Sequence, residues 1–288
     1  MGKPVIITAD SSADLPAALR AELGIHFIPL LINLEGKFYK DCVDLFPKDI
    51  YTAYKERGVI PKTAAPSIGE YKAFFETWTS QGCAVVHLSL SHQLSSVNHV
   101  AQLAAAECED VHVVDTMNFC VASGMLCVLA AKLREQGLPA EEIARELCRI
   151  RSKVMAYYIP DNLVFVSKGG RCSALTAFGA NLLKLRPMVT VNGNNGDLNI
   201  GKKYRGSLAT VQENFLRDAI EASRDKMDLS LAFVVHTPDM TPEQYEPLEA
   251  LARELLPDVQ HWVTSDMGCV IVSHVGNECF AFIAIEKD

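Results

Sequence analysis

The chain has 288 residues, of which 49% are hydrophobic and 22% are charged. This length suits one or two domains with a substantial buried core, and the composition is that of an ordinary globular protein. Lys and Arg number 27 against 35 Asp and Glu, which gives a net charge of −8. This acidic balance, without a basic block, excludes a typical nucleic-acid-binding protein and argues against docking on anionic lipid head groups.

The cellular location is predicted to be the cytoplasm. The first residues, MGKPVIITADSS, contain an apolar run too short for a signal peptide. No uncharged apolar run approaches the ~18 residues that a membrane helix needs. Nine cysteines are scattered along the chain without a Cys-x-x-Cys pair. We therefore expect reduced, mostly buried thiols and no metal site.

Predicted strands and helices alternate through the first half of the chain. Pro29 indicates an edge or a bulge in the second strand. Ser67 and Glu70 form the signature of a capping box at a helix start. The alternation predicts a parallel sheet with helices on its faces. Strands are predicted at 4–9, 26–34, 83–91 and 111–116, and helices up to residue 23 and at 46–58, 67–82, 95–107, 122–137 and 139–154.

The second half of the chain has an α+β pattern. A boundary near residue 157 therefore predicts an N-terminal parallel α/β domain, 1–157, and a C-terminal α+β domain, 158–288. An Asn- and Gly-rich turn marks a hairpin within 187–206. Further strands are predicted at 157–170, 229–237, 259–264 and 278–285, and helices at 173–185, 207–225 and 242–255.

A serine-rich segment, LSLSHQLSSVNHV at 88–100, joins a predicted strand to a helix that begins near Ser95 or Ser96. Ligands of parallel sheets bind beyond the carboxyl ends of the strands, and a helix N-terminus offers free backbone N–H groups. The segment therefore suits a carboxylate or a phosphate, although Ser95 could simply cap the helix. A Ser–His nucleophile is less well supported, because no Gly-x-Ser-x-Gly motif surrounds Ser95.

Two further segments could contact an anion. Thr63, in the predicted loop KTAAPS, is either a hydroxyl donor or an ordinary turn residue. In SKGGRCS, Gly169 and Gly170 permit a tight turn before Arg171. This segment resembles a phosphate loop only loosely, because the spacing of that motif is absent. A turn followed by a solvated arginine explains the same residues.

Polar residues at strand ends and a late histidine complete the set of candidates. Asp10, with Ser11 and Ser12 after the first strand, and Asp115 at the end of another could be catalytic acids or loop anchors. The carboxylates form no evident metal cluster. His274, in a predicted late loop, is a lone histidine, and such residues are more often structural than functional.

Taken in order, these motifs resemble the DegV family of bacterial fatty-acid-binding proteins, which includes the lipid-carrying subunits of fatty acid kinase. Leu94-Ser95-Ser96-Val97 stands where the family has Leu-Ser-Gly-Thr, so a glycine and a hydroxyl are missing. The other elements of the family pattern are Asp10-Ser11, Thr63 to Ser67, Val113 to Thr116, Gly169 to Ser173 and His274 to Gly276.

The resemblance implies a two-domain DegV-like α/β fold with a long-chain fatty acid, such as palmitate, buried between the domains. It implies that Thr63 and Ser95 hold the carboxylate and that Arg205 faces a partner kinase. It implies no catalytic residue, no metal and no cofactor besides the bound lipid. Possible neighbours of the head group are Ser96, Gly169, Gly170, Arg171 and His274.

Some positions depart from the family pattern. Ala64 and Ala65 replace the usual polar residues, and Asn277-Glu278 replaces Pro-Gly after the last glycine of the pattern. A glutamate near a carboxylate is unfavourable unless it points away. We expect a non-catalytic carrier that presents the acyl carboxylate to an ATP-dependent fatty acid kinase. The alternatives are a phosphotransferase or hydrolase acting on a small anion, and a lipid-sensing regulatory protein.

Overall fold

The structure, a computed structural model, describes residues 2–171 and 185–288. The strands in these ranges are β1 Val5–Asp10, β2 Ile25–Ile28, β3 Leu31–Leu34, β4 Lys37–Lys40, β5 Lys62–Ala64, β6 Ala84–Ser89, β7 Val111–Asp115, β8 Val154–Ile159, β9 Arg186–Val191, β10 Leu198–Tyr204, β11 Ala232–His236, β12 Trp262–Asp266 and β13 Phe280–Ile285. The helices are α1 Ala17–Glu22, α2 Pro47–Arg57, α3 Ile68–Thr79, α4 Val97–Ala105, α5 Val121–Glu135, α6 Ala140–Ile150, α7 Val164–Gly169, α8 Leu208–Ser223, α9 Pro242–Leu255 and α10 Cys269–Val275.

The first sheet has the order β2-β1-β6-β7, and all its pairs are parallel. This confirms the prediction from the alternating pattern. Helices α3 and α4 pack together, as do α5 and α6, and all four contact β6. Every residue of β6 is buried, as expected for a parallel strand covered on both faces.

The second sheet has the order β10-β9-β8-β13-β11-β12. Its pairs are antiparallel except for β11 and β12, and the predicted hairpin is confirmed as β9 and β10. Helix α8 covers one face, whereas α5 contacts β8 and β13 as well as β1 and β6 of the first sheet. One helix is thus shared by both sheets.

A small antiparallel sheet, β4-β3-β5, was not predicted. The single strand predicted at 26–34 is wrong, because it divides into β2 and β3 in different sheets. Pro29 lies at the break, where a residue without a backbone N–H cannot continue a ladder. Thr63 also lies on a strand rather than in a loop, since it pairs with Ile32 across β5 and β3.

The second half needs two more corrections. The prediction of one strand over 157–170 is wrong, because the strand β8 ends at Ile159 and the helix α7 occupies Val164–Gly169. The late loop predicted around His274 is the last turn of α10. The helix predicted at 173–185 lies almost wholly outside the described residues. The predicted boundary at residue 157 falls within β8, and the division into two domains remains a prediction.

A buried polar network lies at the carboxyl end of β1. Asp10 Oδ1 accepts a hydrogen bond from the Tyr71 hydroxyl and lies 3.2 Å from His87 Nε2. Asp10 Oδ2 accepts from Ser89 Oγ at 3.1 Å and from the backbone N–H of Leu90 at 2.8 Å. The network joins β1, β6 and α3, so its contacts are those of a structural anchor.

Tyr71→Phe tests this anchor. Burial and the nearby Asp10 raise the pKa of Tyr71, so its hydroxyl stays protonated and donates to the carboxylate. Removing that donor from a buried carboxylate should lower the free energy of unfolding by about 1–3 kcal/mol. Urea denaturation measures the change, with Tyr39→Phe on the small sheet as the control. Equal stabilities of the two variants would contradict the anchoring role.

Candidate functional site

An apolar cavity lies between the first sheet, the small sheet, the second sheet and α10. Apolar side chains form most of its lining, and Thr63, Ser95, Arg171 and His274 provide polar and charged groups. The structure therefore brings together four of the predicted site residues, although they come from four distant parts of the chain. The remaining lining residues are Leu30, Ala64, Leu90, Leu94, Val97, Phe119, Tyr158, Pro160, Val166, Val189, Leu198, Val270, Ile271, Val275 and Cys279.

A hydrogen bond joins the two sides of the cavity. Thr63 Oγ1, on β5, lies 3.0 Å from His274 Nε2, in the last turn of α10. Strand pairing with Ile32 fixes Thr63, and the helix fixes His274. The two groups therefore meet on regular elements rather than on the loops that the sequence predicted for them.

The imidazole of His274 is electrically neutral at physiological pH. Burial, with a smaller contribution from the positive charge of Arg171, lowers its pKa to about 4. Its Nδ1 has no hydrogen-bond partner in the described ranges. A Cβ on Gly169 would lie only 2.6 Å from that nitrogen, so the approach of α7 to the ring needs a glycine. The neutral ring can donate a single proton to its surroundings.

The serine-rich segment places one hydroxyl on the cavity. Ser95 Oγ accepts a hydrogen bond from the backbone N–H of Val97 at 3.3 Å. Ser95 is not the cap of α4, because Ser96 is the N-cap residue and makes no side-chain capping bond. The hydroxyl proton of Ser95 remains available to an acceptor in the cavity. Ser96 is exposed and does not line the cavity.

Arg171 lies at the mouth of the cavity. Its side chain is exposed, and its guanidinium donates to the carbonyl oxygens of Gly169 at 2.6 Å and Leu94 at 3.4 Å. These contacts hold a positive charge beside the segment that carries Ser95. Gly170 does not line the cavity, and its φ of 67° ends α7 in the left-handed conformation.

The glutamate that departs from the family pattern points away from the cavity. Glu278 Oε1 accepts a hydrogen bond from Gln244 Nε2 at 2.7 Å. The backbone N–H of Glu278 donates to the carboxylate of Asp239 at 3.2 Å. The carboxylate of Glu278 is therefore held by Gln244 and does not line the cavity, whereas the next residue, Cys279, does.

Comparison with known proteins identifies the family of the chain. A sequence profile described as "Uncharacterised protein, DegV family" matches residues 4–287. The chain belongs to the DegV family. The Thermotoga maritima protein named "Fatty acid-binding protein" is 32% identical to it over 286 residues, covering 94% of each chain. A DegV domain-containing protein of Clostridium perfringens is 29% identical, over 95% of this chain and 94% of its own.

Solved structures of DegV proteins share the fold of this DegV protein. The fatty-acid-binding DegV family protein of Thermus thermophilus superposes with a TM-score of 0.85 at 27% identity, over 99% of this chain and 100% of its own. DegV of Bacillus subtilis, described as a fatty acid binding protein, superposes with a TM-score of 0.84 at 27% identity over the same shares. The α/β architecture is thus that of the family.

The sequence of this DegV protein predicted the exposed Arg205 but not the apolar residues that line the cavity. The apolar lining, such as Phe119 and Val270, was not predicted, because no local pattern separates cavity walls from core. Arg205 was predicted from the resemblance to face a partner, and it is exposed, immediately after β10 and away from the cavity lining. None of the helices in the described ranges has the length and hydropathy needed to cross a bilayer.

The depressed pKa of His274 predicts a pH dependence of stability. The unfolded chain takes up the imidazole proton near pH 6.5 and the folded protein near pH 4. The contribution of His274 to the free energy of unfolding is therefore fully present above about pH 6.5 and is lost as the pH falls towards 4. The stability of the wild type should fall more than that of His274→Gln over this range, as measured by urea denaturation. Parallel pH profiles would contradict a neutral, buried imidazole.

Proposed function

We propose that this DegV protein binds a long-chain fatty acid, with the acyl chain in the apolar cavity and the carboxylate beside Thr63 and Ser95. The observation that carries the proposal is the convergence of Thr63, Ser95, Arg171 and His274 on one otherwise apolar cavity. A ligand with a long apolar body and one anionic end matches that distribution. The names of the relatives from Thermotoga maritima and Bacillus subtilis support the same ligand class.

The two hydroxyls are prepared to donate to a carboxylate. Ser95 Oγ already accepts from a backbone N–H, and Thr63 Oγ1 accepts from His274 when the imidazole carries its proton on Nε2. With an acceptor site of each oxygen occupied, each O–H proton is free for the ligand. Arg171 adds a positive charge at the mouth, where it would attract the anionic head group.

The apolar lining provides most of the binding free energy in this proposal. Each buried CH₂ contributes about 0.8 kcal/mol, so a long acyl chain outweighs the cost of desolvating its head group. The alanine at position 64 is part of that apolar wall. The apolar lining therefore favours a fatty acid over a small phosphorylated metabolite, because the small metabolite would not contact that lining.

We further propose that the protein is a carrier without catalytic machinery. Ser95 has no histidine partner in the described part of the chain, and His92 pairs instead with Asp115, with 2.5 Å between Nδ1 and Oδ2. Thr63 does have His274 within 3.0 Å, but no acceptor in the described ranges orients the Nδ1 of that ring, and its pKa of about 4 makes it a weak base. A hydrolase would need an oriented base of higher pKa beside its nucleophile. An ATP-dependent fatty acid kinase would then receive the presented carboxylate in the cytoplasm, with Arg205 contacting that kinase.

Removing both hydroxyls tests the head-group contacts. Thr63→Val with Ser95→Ala should weaken palmitate binding at least tenfold, because a hydrogen bond to a charged group contributes about 1.5–3 kcal/mol. Native mass spectrometry measures the lipid that co-purifies and the added palmitate that binds. Ser96→Ala, at the exposed neighbour, should bind as the wild type does. A folded wild-type protein that carries no fatty acid and refuses palmitate would contradict the proposed function.

A charge reversal tests the kinase contact separately. Arg205→Glu should leave palmitate binding unchanged, because the side chain is exposed and does not line the cavity. Phosphorylation of the bound acid by the fatty acid kinase of the same organism should become several-fold slower. Arg145→Glu, at an exposed arginine on α6, is the matched control. Equal rates for the two variants would remove Arg205 from the docking surface.

A further inference from the structure

A second cluster of reactive side chains lies where α10 begins, at the opposite end of that helix from His274. Asp41 and Cys42 follow β4, and Cys269 is the first residue of α10. One carboxylate oxygen of Asp41 and the sulfurs of both cysteines lie within 4.8 Å of one another. Thiolate and carboxylate groups at this separation can share one tetrahedral cation after small adjustments.

Hydrogen bonds hold these groups in place. Asp41 Oδ1 accepts from the backbone N–H of Cys269 at 2.9 Å, and Asp41 Oδ2 accepts from Ser11 Oγ at 2.6 Å. The backbone N–H of Cys42 and the thiol of Cys269 both donate to the carbonyl oxygen of Leu45, at 3.0 and 3.1 Å. The ligating atoms are therefore gathered by the fold itself rather than by flexible surface side chains.

A buried carboxyl group, that of Asp14, lies beside this cluster. Asp14 is only 7% exposed, and its Oδ2 has no hydrogen-bond partner within the described ranges. Its Oδ1 accepts from the backbone N–H of Gly268 at 3.0 Å. A Cβ on Gly268 would lie 2.8 Å from this oxygen and 3.4 Å from both Asp41 Oδ1 and Cys42 Sγ. The absence of a side chain at Gly268 thus lets the side chains of Asp14, Asp41 and Cys42 approach one another.

An ionised, buried carboxylate oxygen without a partner is costly, and a bound cation would compensate that cost. The side chains of Asp14, Asp41 and Cys42 line a surface cleft, which Arg20 also lines. The guanidinium of Arg20 lies 4.4 Å from the centre of the Phe27 ring, and no hydrogen bond joins it to Asp14 or Asp41 in the part of the chain that the structure describes. The cleft also leaves Cys42 exposed, so an ion could enter from solvent.

We propose that Asp41, Cys42 and Cys269 bind one divalent cation of the thiolate-preferring class, such as Zn²⁺, and that Asp14, which lies just outside this cluster, becomes the fourth ligand after a shift of its side chain. Binding releases the two thiol protons to solvent. The hydrogen bond that the Cys269 thiol donates to the Leu45 carbonyl oxygen is lost, and a sulfur–metal bond takes its place. The ion would join the start of α10 to the segment after β4. Helix α10 also carries Val270, Ile271 and His274, so the ion would fix one wall of the lipid cavity.

Cobalt(II) is the probe that tests the site. The purified full chain, freed of metal with a chelator and kept reduced, should bind one equivalent of Co²⁺. A thiolate-to-cobalt charge-transfer band should appear in the near ultraviolet, and Zn²⁺ should displace it. Cys42→Ser and Cys269→Ser should abolish the band, and Asp14→Asn should weaken binding at least tenfold. Cys148→Ser, at an exposed thiol on α6, should change nothing.

Thermal unfolding provides a second readout. Zn²⁺ should raise the unfolding midpoint of the wild type and of Cys148→Ser but not that of Cys42→Ser, because only an intact site links binding to folding. Cys42 is exposed, so its serine variant should fold, and circular dichroism checks this. A reduced, folded wild type without the cobalt band would overturn the proposal, as would a band that survives in Cys42→Ser. A Cys42–Cys269 disulfide, together with no Co²⁺ binding after reduction, would reassign the two thiols to a redox pair.

Discussion

The fold depends on one helix that is buried between two sheets. Helix α5 contacts β1 and β6 on one side and β8 and β13 on the other, and nearly all its residues from Val121 to Ala131 are buried. Gly124 permits this packing, because a Cβ there would lie 2.6 Å from the carbonyl oxygen of Ala13. Just before α5, Phe119 stacks on Tyr158 of β8 at 4.5 Å, and both rings line the cavity. The cavity is therefore anchored to the same core that joins the sheets.

The site combines an apolar wall with polar groups that are already partly satisfied. The segment after β6, the edge strand β5 and helix α10 each supply one polar group, so no single loop determines the geometry of the polar end of the cavity. The neutral state of His274 is important here, because a charged imidazole would pay a large desolvation cost beside the apolar wall. The positive charge instead belongs to Arg171, which remains in contact with solvent at the mouth.

Local signals predicted the regular elements well. The parallel sheet followed from alternating apolar runs, and the start of α3 followed from Ser67 and Glu70, which form the predicted capping box. The small sheet was missed because β4 and β5 are short and polar, and pairing with β3 rather than propensity makes them strands. The proposed carboxylate contacts, Thr63 and Ser95, came from the resemblance to a family, since sequence spacing cannot bring Thr63 to His274. The cluster of Asp41, Cys42 and Cys269 was not predicted for the same reason, because Cys269 is separated from the other two residues by most of the chain.

The adjacent glycines 169 and 170 are required for different physical reasons. Gly170 has a positive φ, so any side chain there strains the backbone whatever its surroundings. Gly169 has a backbone that other residues can adopt, and among the described residues it is the ring of His274 that excludes a side chain from it. Position 169 is therefore coupled to position 274, and the two should covary among proteins of this fold, with a larger residue at 169 accompanied by a smaller one at 274. Position 170 should stay glycine in both cases.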